Sequence, residues 1–151
     1  MSISRHTKTL FCLLLSLLIY SCGGDNSAQG SGRYGTMDSN TPEYAALQFF
    51  EHIYNDPTIH RTLEYASPKM ARLVQSYRIN RNVQRHVLNM AFDTVEIKTS
   101  AGNAGRNEFA QKASVSLFFE GTLNGEKVKD LRRIKMVRIN KKWKVDEVTL
   151  E

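Results

Sequence analysis

Basic side chains crowd the last part of the chain: Arg132, Arg133, Lys135, Arg138, Lys141, Lys142 and Lys144. At this density lysine and arginine hold anions, by point charge or by bidentate hydrogen bonding. The set reads in two ways. One is an anionic-partner surface for lipid headgroups, lipopolysaccharide, peptidoglycan or an acidic protein. The other is a solvated sheet edge, kept from pairing by its charge. Arg132 and Arg138 share strand parity, as do Arg133 and Lys135, so more than one face is involved. Arg78, Arg81 and Arg85 extend the surface if their helix packs nearby.

The remaining reactive residues do not form a catalytic set. A general base needs a setting that moves its pKa toward neutrality. Asp93 and Glu96 lie near a strand start, Asp130 in a lysine-rich run, and Asp146 and Glu147 among terminal charges, so each reads as solvated. His52, His60 and His86 show no HExxH or other ligand spacing, and no metal is expected. Neither a nucleophilic serine elbow nor a phosphate-cradling glycine loop is present, and no cofactor is expected.

The first residues set an address. Arg5, His6 and Lys8 precede an apolar run from Leu10 to Tyr20, too short to span a bilayer, and a polar stretch follows. This is the pattern of a secretory signal peptide over residues 1–21. Its ending, Ile19-Tyr20-Ser21-Cys22, resembles the lipobox of bacterial lipoproteins. The resemblance implies a diacylglyceryl thioether on Cys22, cleavage before it, and anchoring to a lipid bilayer. Gly23 in place of aspartate implies the periplasmic side of the outer membrane rather than the inner membrane. With Cys12 removed, Cys22 is the one thiol left, and lipidation gives an exported chain a use for it. Two or three acyl chains anchor stably where one does not. The formal charge falls from +6 to +4 with the loss of Arg5 and Lys8, too little for a nucleic-acid partner to be expected.

Residues 22–41 are rich in Gly, Ser, Asn and Asp and read as a flexible tether, roughly 20–25 Å end to end as a coil. The folded domain is expected over 42–151. Thr41 suits a helix cap, Pro42 the first helical position and Glu43 the positive helix end. Tyr44, Leu47, Phe50, Ile53 and Tyr54 then recur at helical spacing up to Asn55-Asp56. Pro57 and Pro68 restart helices carrying Ile59, Leu63 and Ala66, then Met70, Val74 and Tyr77. Val83, Val87, Leu88 and Met90 predict about two and a half further turns before Ala91.

Strands follow over residues 92–99, 109–121, 128–139 and 142–150, with SAGNAGRN at 100–107 as a polar turn. Asn124-Gly125 is a strong hairpin signal, and Asn140-Lys141 a second tight turn. Val115, Leu117 and Phe119 share one face; Ser114, Ser116 and Phe118 share the other. Phe118 is therefore an exposed or pocket-lining aromatic unless helices cover it. The alternation slips between Leu131 and Met136, which predicts a bulge.

The order is α+β: N-terminal helices, then a four-stranded antiparallel meander. TPEYAALQFFEHIYN, QKASVSLFFEG, VKDLRRIKMVRIN and the closing KKWKVDEV together resemble the NTF2-like, or SnoaL-like, superfamily over residues 42–150. The resemblance implies helices on a curved sheet forming a cone, with a pocket in its mouth. Tyr44, Tyr54, Tyr65 and Tyr77 are the residues that would line such a pocket. It also implies a homodimer through the sheet. The expected role is non-enzymatic ligand binding or protein interaction at the envelope. The alternatives are a small cofactor-independent isomerase or hydrolase using the pocket, and a structural accessory of an envelope complex.

Overall fold

A computed structural model of the chain describes residues 37–99 and 109–150. The signal peptide, Cys22, the tether up to residue 36 and the polar turn at 100–107 lie outside the described residues.

Helix α1, Pro42–Asn55, begins where its caps direct. Thr41 is extended and its hydroxyl accepts from the Tyr44 amide at 3.2 Å, with Pro42 inside the first turn. The helix buries Ala45, Ala46, Leu47, Phe49, Phe50 and Ile53, a stripe wide enough to face a sheet. A short helix of five residues, α2, spans His60–Glu64. Helix α3, Pro68–Tyr77, repeats the device of α1: the Ser67 hydroxyl accepts from the Met70 amide at 3.1 Å, and Pro68 follows.

The fourth helical stretch is shorter than its apolar spacing predicts. α4, Asn80–Asn82, runs directly into a π-helical turn, Val83–Val87. Two side chains from this stretch satisfy carbonyls at and beyond the end of α1. Asn80 Nδ2 lies 2.8–3.0 Å from the carbonyls of His52, Asp56 and Thr58, and Gln84 Nε2 donates to Ile53 at 2.8 Å. These bonds hold the turn to α1.

The sheet has strands β1 (Thr94–Thr99), β2 (Lys112–Leu123), β3 (Glu126–Ile139) and β4 (Lys142–Leu150), all antiparallel neighbours in chain order. Asn124 and Gly125 both have positive φ, as a type I′ turn requires, and Asn140 and Lys141 do the same at the next hairpin. A register shift falls between Lys135 and Met136, within the predicted span. The extra residue, however, is on β4: Lys135 faces Glu147 and Met136 faces Val145, which leaves Asp146 unmatched. Its carboxylate accepts from the Ser67 hydroxyl at 2.7 Å, so the bulge ties β4 to the start of α3.

The expected curved cone is corrected here. The strand order is linear, with β1 and β4 as two separate edges, and the sheet does not curl closed. The space where the cone pocket was expected is filled by rings. Phe50 meets Phe119 edge-on at 5.0 Å and Phe49 at 5.2 Å, and all three side chains are fully buried. Such edge-to-face pairs add about 0.5–1.5 kcal/mol each beyond area burial. Four apolar positions of β2 and β3, Val115, Leu117, Ile134 and Met136, complete the floor of this core.

Candidate functional site

A concave region forms instead at the β4 edge. A cleft of about 600 Å³ is lined by Ser39, Asn40, Tyr44, Ala45, Glu64, Tyr65, Lys142, Trp143 and Lys144. Three separate chain segments make it. The Thr41 cap places residues 39–45 as one wall. The end of α2 supplies Glu64 and Tyr65. The Asn140-Lys141 turn delivers Lys142 to Lys144 as the third wall.

The walls are locked by backbone bonds. Val145 donates its amide to Tyr65 O at 2.7 Å and accepts from Ser67 N at 2.8 Å, so the Tyr65–Ser67 segment is stitched to the sheet edge. Alternation along β4 turns the Trp143 amide toward the same outer edge, one pair nearer the cleft. The Lys144 ammonium donates to the Glu64 carbonyl oxygen. Arg138 lies over the Trp143 ring, 5.7 Å from its centre, and fixes that indole from the neighbouring strand.

Electrostatics in the cleft follow from partial burial. Desolvation lowers the Lys144 pKa, Lys142 lowers it further, and Glu64 acts in the opposite sense. Burial raises the Tyr65 pKa, and Tyr44 raises it further by its proximity and by a side-chain hydrogen bond, with Glu64 adding to the same trend. Behind Tyr65 the His52 ring stacks at 5.7 Å, and His52 Nδ1 is 3.0 Å from Asp56 Oδ2. The His52 ring backs the aromatic wall at Tyr65, and the pair is not part of the lining.

Of the tyrosines placed together by sequence reasoning, Tyr44 and Tyr65 meet in this cleft. Tyr54 does not join them. Its hydroxyl donates to Met90 O at 2.9 Å, its ring packs on Phe92 and Phe119, and burial raises its pKa. Tyr77 stacks on His86 at 5.7 Å and is not part of the cleft lining.

The basic set is dispersed. Lys142 and Lys144 line the cleft, with Arg138 behind Trp143. Arg132 points to the helices, is buried, and makes a bidentate bond with Asp130 at 2.6 and 3.1 Å. The opposite face of the sheet carries Arg133, Lys135 and Phe118. There Lys135 pairs with Glu147 at 2.9 Å, Lys129 with Glu120 at 2.9 Å, and the Lys129 ammonium sits 5.9 Å from the Phe118 ring centre. Cross-strand neighbours Phe118 and Leu131 give this face its apolar centre.

Sequence reasoning missed Trp143 and Glu64 as cleft residues. Trp143 has core parity on β4, and only its position at a sheet edge lets it serve both. Glu64 contributes its carboxylate charge and also its backbone carbonyl, and the second leaves no mark on side-chain pattern. Among the described residues, no group of three His, Cys, Asp or Glu side chains is placed to hold a metal ion.

No family model, no curated protein and no solved structure matches the chain. The resemblances drawn from the sequence are corrected accordingly. The open sheet and filled core overturn the NTF2-like cone, and neither that superfamily nor the lipoprotein assignment read from residues 19–22 is supported by a match.

Proposed function

We propose that this chain is a non-enzymatic binding domain, with its ligand site in the cleft at the β4 edge. One observation carries the reading. The fold brings Tyr44, Tyr65, Trp143, Lys142 and Lys144, which come from distant parts of the sequence, into one concavity of about 600 Å³. Ligand sites for small molecules occupy about 300–1,000 Å³ and combine aromatic walls with a few polar groups.

A binding role fits the state of these groups better than catalysis. Tyr65 is bonded to Tyr44 and held neutral, the Lys144 ammonium is engaged by a backbone carbonyl, and the His52–Asp56 pair stands behind the wall. A general base must reach the atom it deprotonates, directly or through one water. The residues of the cleft are arranged to present hydrogen-bond donors and ring surface.

Amide-resonance mapping of the full chain against a library of small fragments, neutral and charged, tests this. The expected result is a set of compounds whose shifts centre on residues 39–45, 64–65 and 142–144 and which are recovered unchanged. Shifts centred elsewhere, or turnover of a bound compound, would defeat the proposal.

A further inference from the structure

The cleft has a charge character that narrows its ligand. Lys142 and Lys144 are two apart on one strand, so their side chains leave the same side of β4. Their like charges oppose each other, which is one reason the Lys144 pKa is lowered; loss of hydration is the larger reason. Lys144 is balanced by the Glu64 backbone carbonyl and by the charge of the Glu64 carboxylate, while Lys142 has no such partner among the cleft interactions described and leaves the pair with a net positive charge. The Val145 amide points outward from β4, and strand alternation directs the Trp143 amide, two residues back, to the same edge. The neutral Tyr65 phenol, hydrogen-bonded to Tyr44, stands in the same lining.

The size of the cleft argues for more than an inorganic ion. Tyr44, Tyr65 and Trp143 add apolar ring surface to a volume of about 600 Å³, which suits an organic body carrying the charged group. Resting on the binding role proposed above, we infer that the cleft takes a small organic anion. Its carboxylate or phosphate sits between Lys142 and Lys144 at the Trp143 amide, and its flat or ring-bearing body lies against Tyr44, Tyr65 and Trp143. Binding of this kind relieves the repulsion between the two ammonium groups.

Trp143 is the single tryptophan of the chain and lies in the cleft wall, so its fluorescence is a built-in reporter. The test titrates the full chain with benzoate, phenyl phosphate and, as the uncharged match, benzyl alcohol. The expected result is saturable change with at least one anion, bound about tenfold or more tightly than the alcohol. Affinity for the anion should fall with added salt and drop to the level of the alcohol in K142Q/K144Q. Lys142→Gln alone, at an exposed position, should lose part of the preference without a change in melting temperature. The relative strength of benzoate and phenyl phosphate distinguishes a carboxylate ligand from a phosphate ester.

Equal binding of the anions and the alcohol would overturn the anion assignment and leave the binding role standing. Anion binding that survives K142Q/K144Q unchanged would overturn it also. If no compound from these probes or the fragment library changes Trp143 or the cleft amides, the binding role itself fails.

Discussion

Removing Asp130 strands a cation in the core. The Arg132 side chain is 8% exposed and its bidentate partner Asp130 is 22% exposed. Both project from β3 toward the helices, two residues apart. Breaking a buried ion pair by deleting one partner costs about 3–5 kcal/mol, because the survivor is left desolvated. Water already reaches the Asp130 side, so Asp130→Ala should cost somewhat less, about 2–3 kcal/mol. Arg132→Met is the milder change. It fills the aliphatic volume and leaves a carboxylate that water can reach, for about 1 kcal/mol. The double variant Asp130→Ala/Arg132→Met should cost less than Asp130→Ala alone, since it removes the stranded charge. Urea unfolding followed by Trp143 fluorescence measures all three. With a slope of about 1.5 kcal/mol per molar urea, Asp130→Ala should lower the midpoint by about 1.3–2 M. If Asp130→Ala and Arg132→Met shift the midpoint equally, or if the double variant is the least stable, Arg132 is not held as described.

Three further outcomes follow from the same geometry. Tyr65 ionises late, and the stability its neutral form gives is fully present below its ordinary value of 10.0 and lost as pH rises through the higher folded value. Tyr44→Phe should bring its phenolate absorbance curve part of the way down toward 10.0, burial being the larger cause; a curve that moves only by the loss of one tyrosine would refute the coupling. Glu147 is pulled below its ordinary 4.5 by hydrogen bonds from Lys135 and Lys69 and by their charges, so its contribution is present above that value and lost as pH falls through the lower folded value. Glu147→Gln should flatten the pH dependence of the melting temperature in that window, and an unchanged slope would count against the pairing. At Gly121 a Cβ would press on the Thr94 carbonyl oxygen and come within 2.9 Å of Phe92 Cδ1, so Gly121→Ala should cost about 2–3 kcal/mol in urea melts, whereas a neutral effect would mean that β1 is free to move aside.

Local chemistry was readable wherever a short-range rule determined it. Thr41-Pro42 and Ser67-Pro68 start helices because cap and proline act within one turn. Asn124-Gly125 and Asn140-Lys141 turn the chain because they take positive φ in adjacent positions. Period-two alternation placed Val115, Leu117 and Phe119 inward and Phe118 outward. The misreadings arise at longer range. Apolar spacing over residues 83–91 matches a helix, yet Asn80 and Gln84 are drawn to the carbonyls at the end of α1, a tertiary demand with no sequence period. The slip in alternation was visible on β3, but the extra residue is Asp146 on β4, because a bulge is a property of a pair of strands.

The same distinction explains why the cleft lies elsewhere than the resemblance implied. A cone requires the sheet to curl so that its mouth stays open under the helices. Here Phe49, Phe50 and Phe119 occupy that space, and Tyr54, expected to line it, is anchored to Met90. With the centre of the domain filled, the cleft among the described residues forms at a sheet edge that is incompletely covered. The Tyr65–Ser67 segment covers β4 at Val145, and Trp143 with its flanking lysines lies beyond that bridge, in one concavity with Tyr44 and Ala45 of the first turn of α1. Lys142 and Lys144 were readable as basic and outward-facing. Their partnership with Tyr44 and Tyr65 was not, because it depends on where a single parallel bridge, Ala66 to Val145, ends.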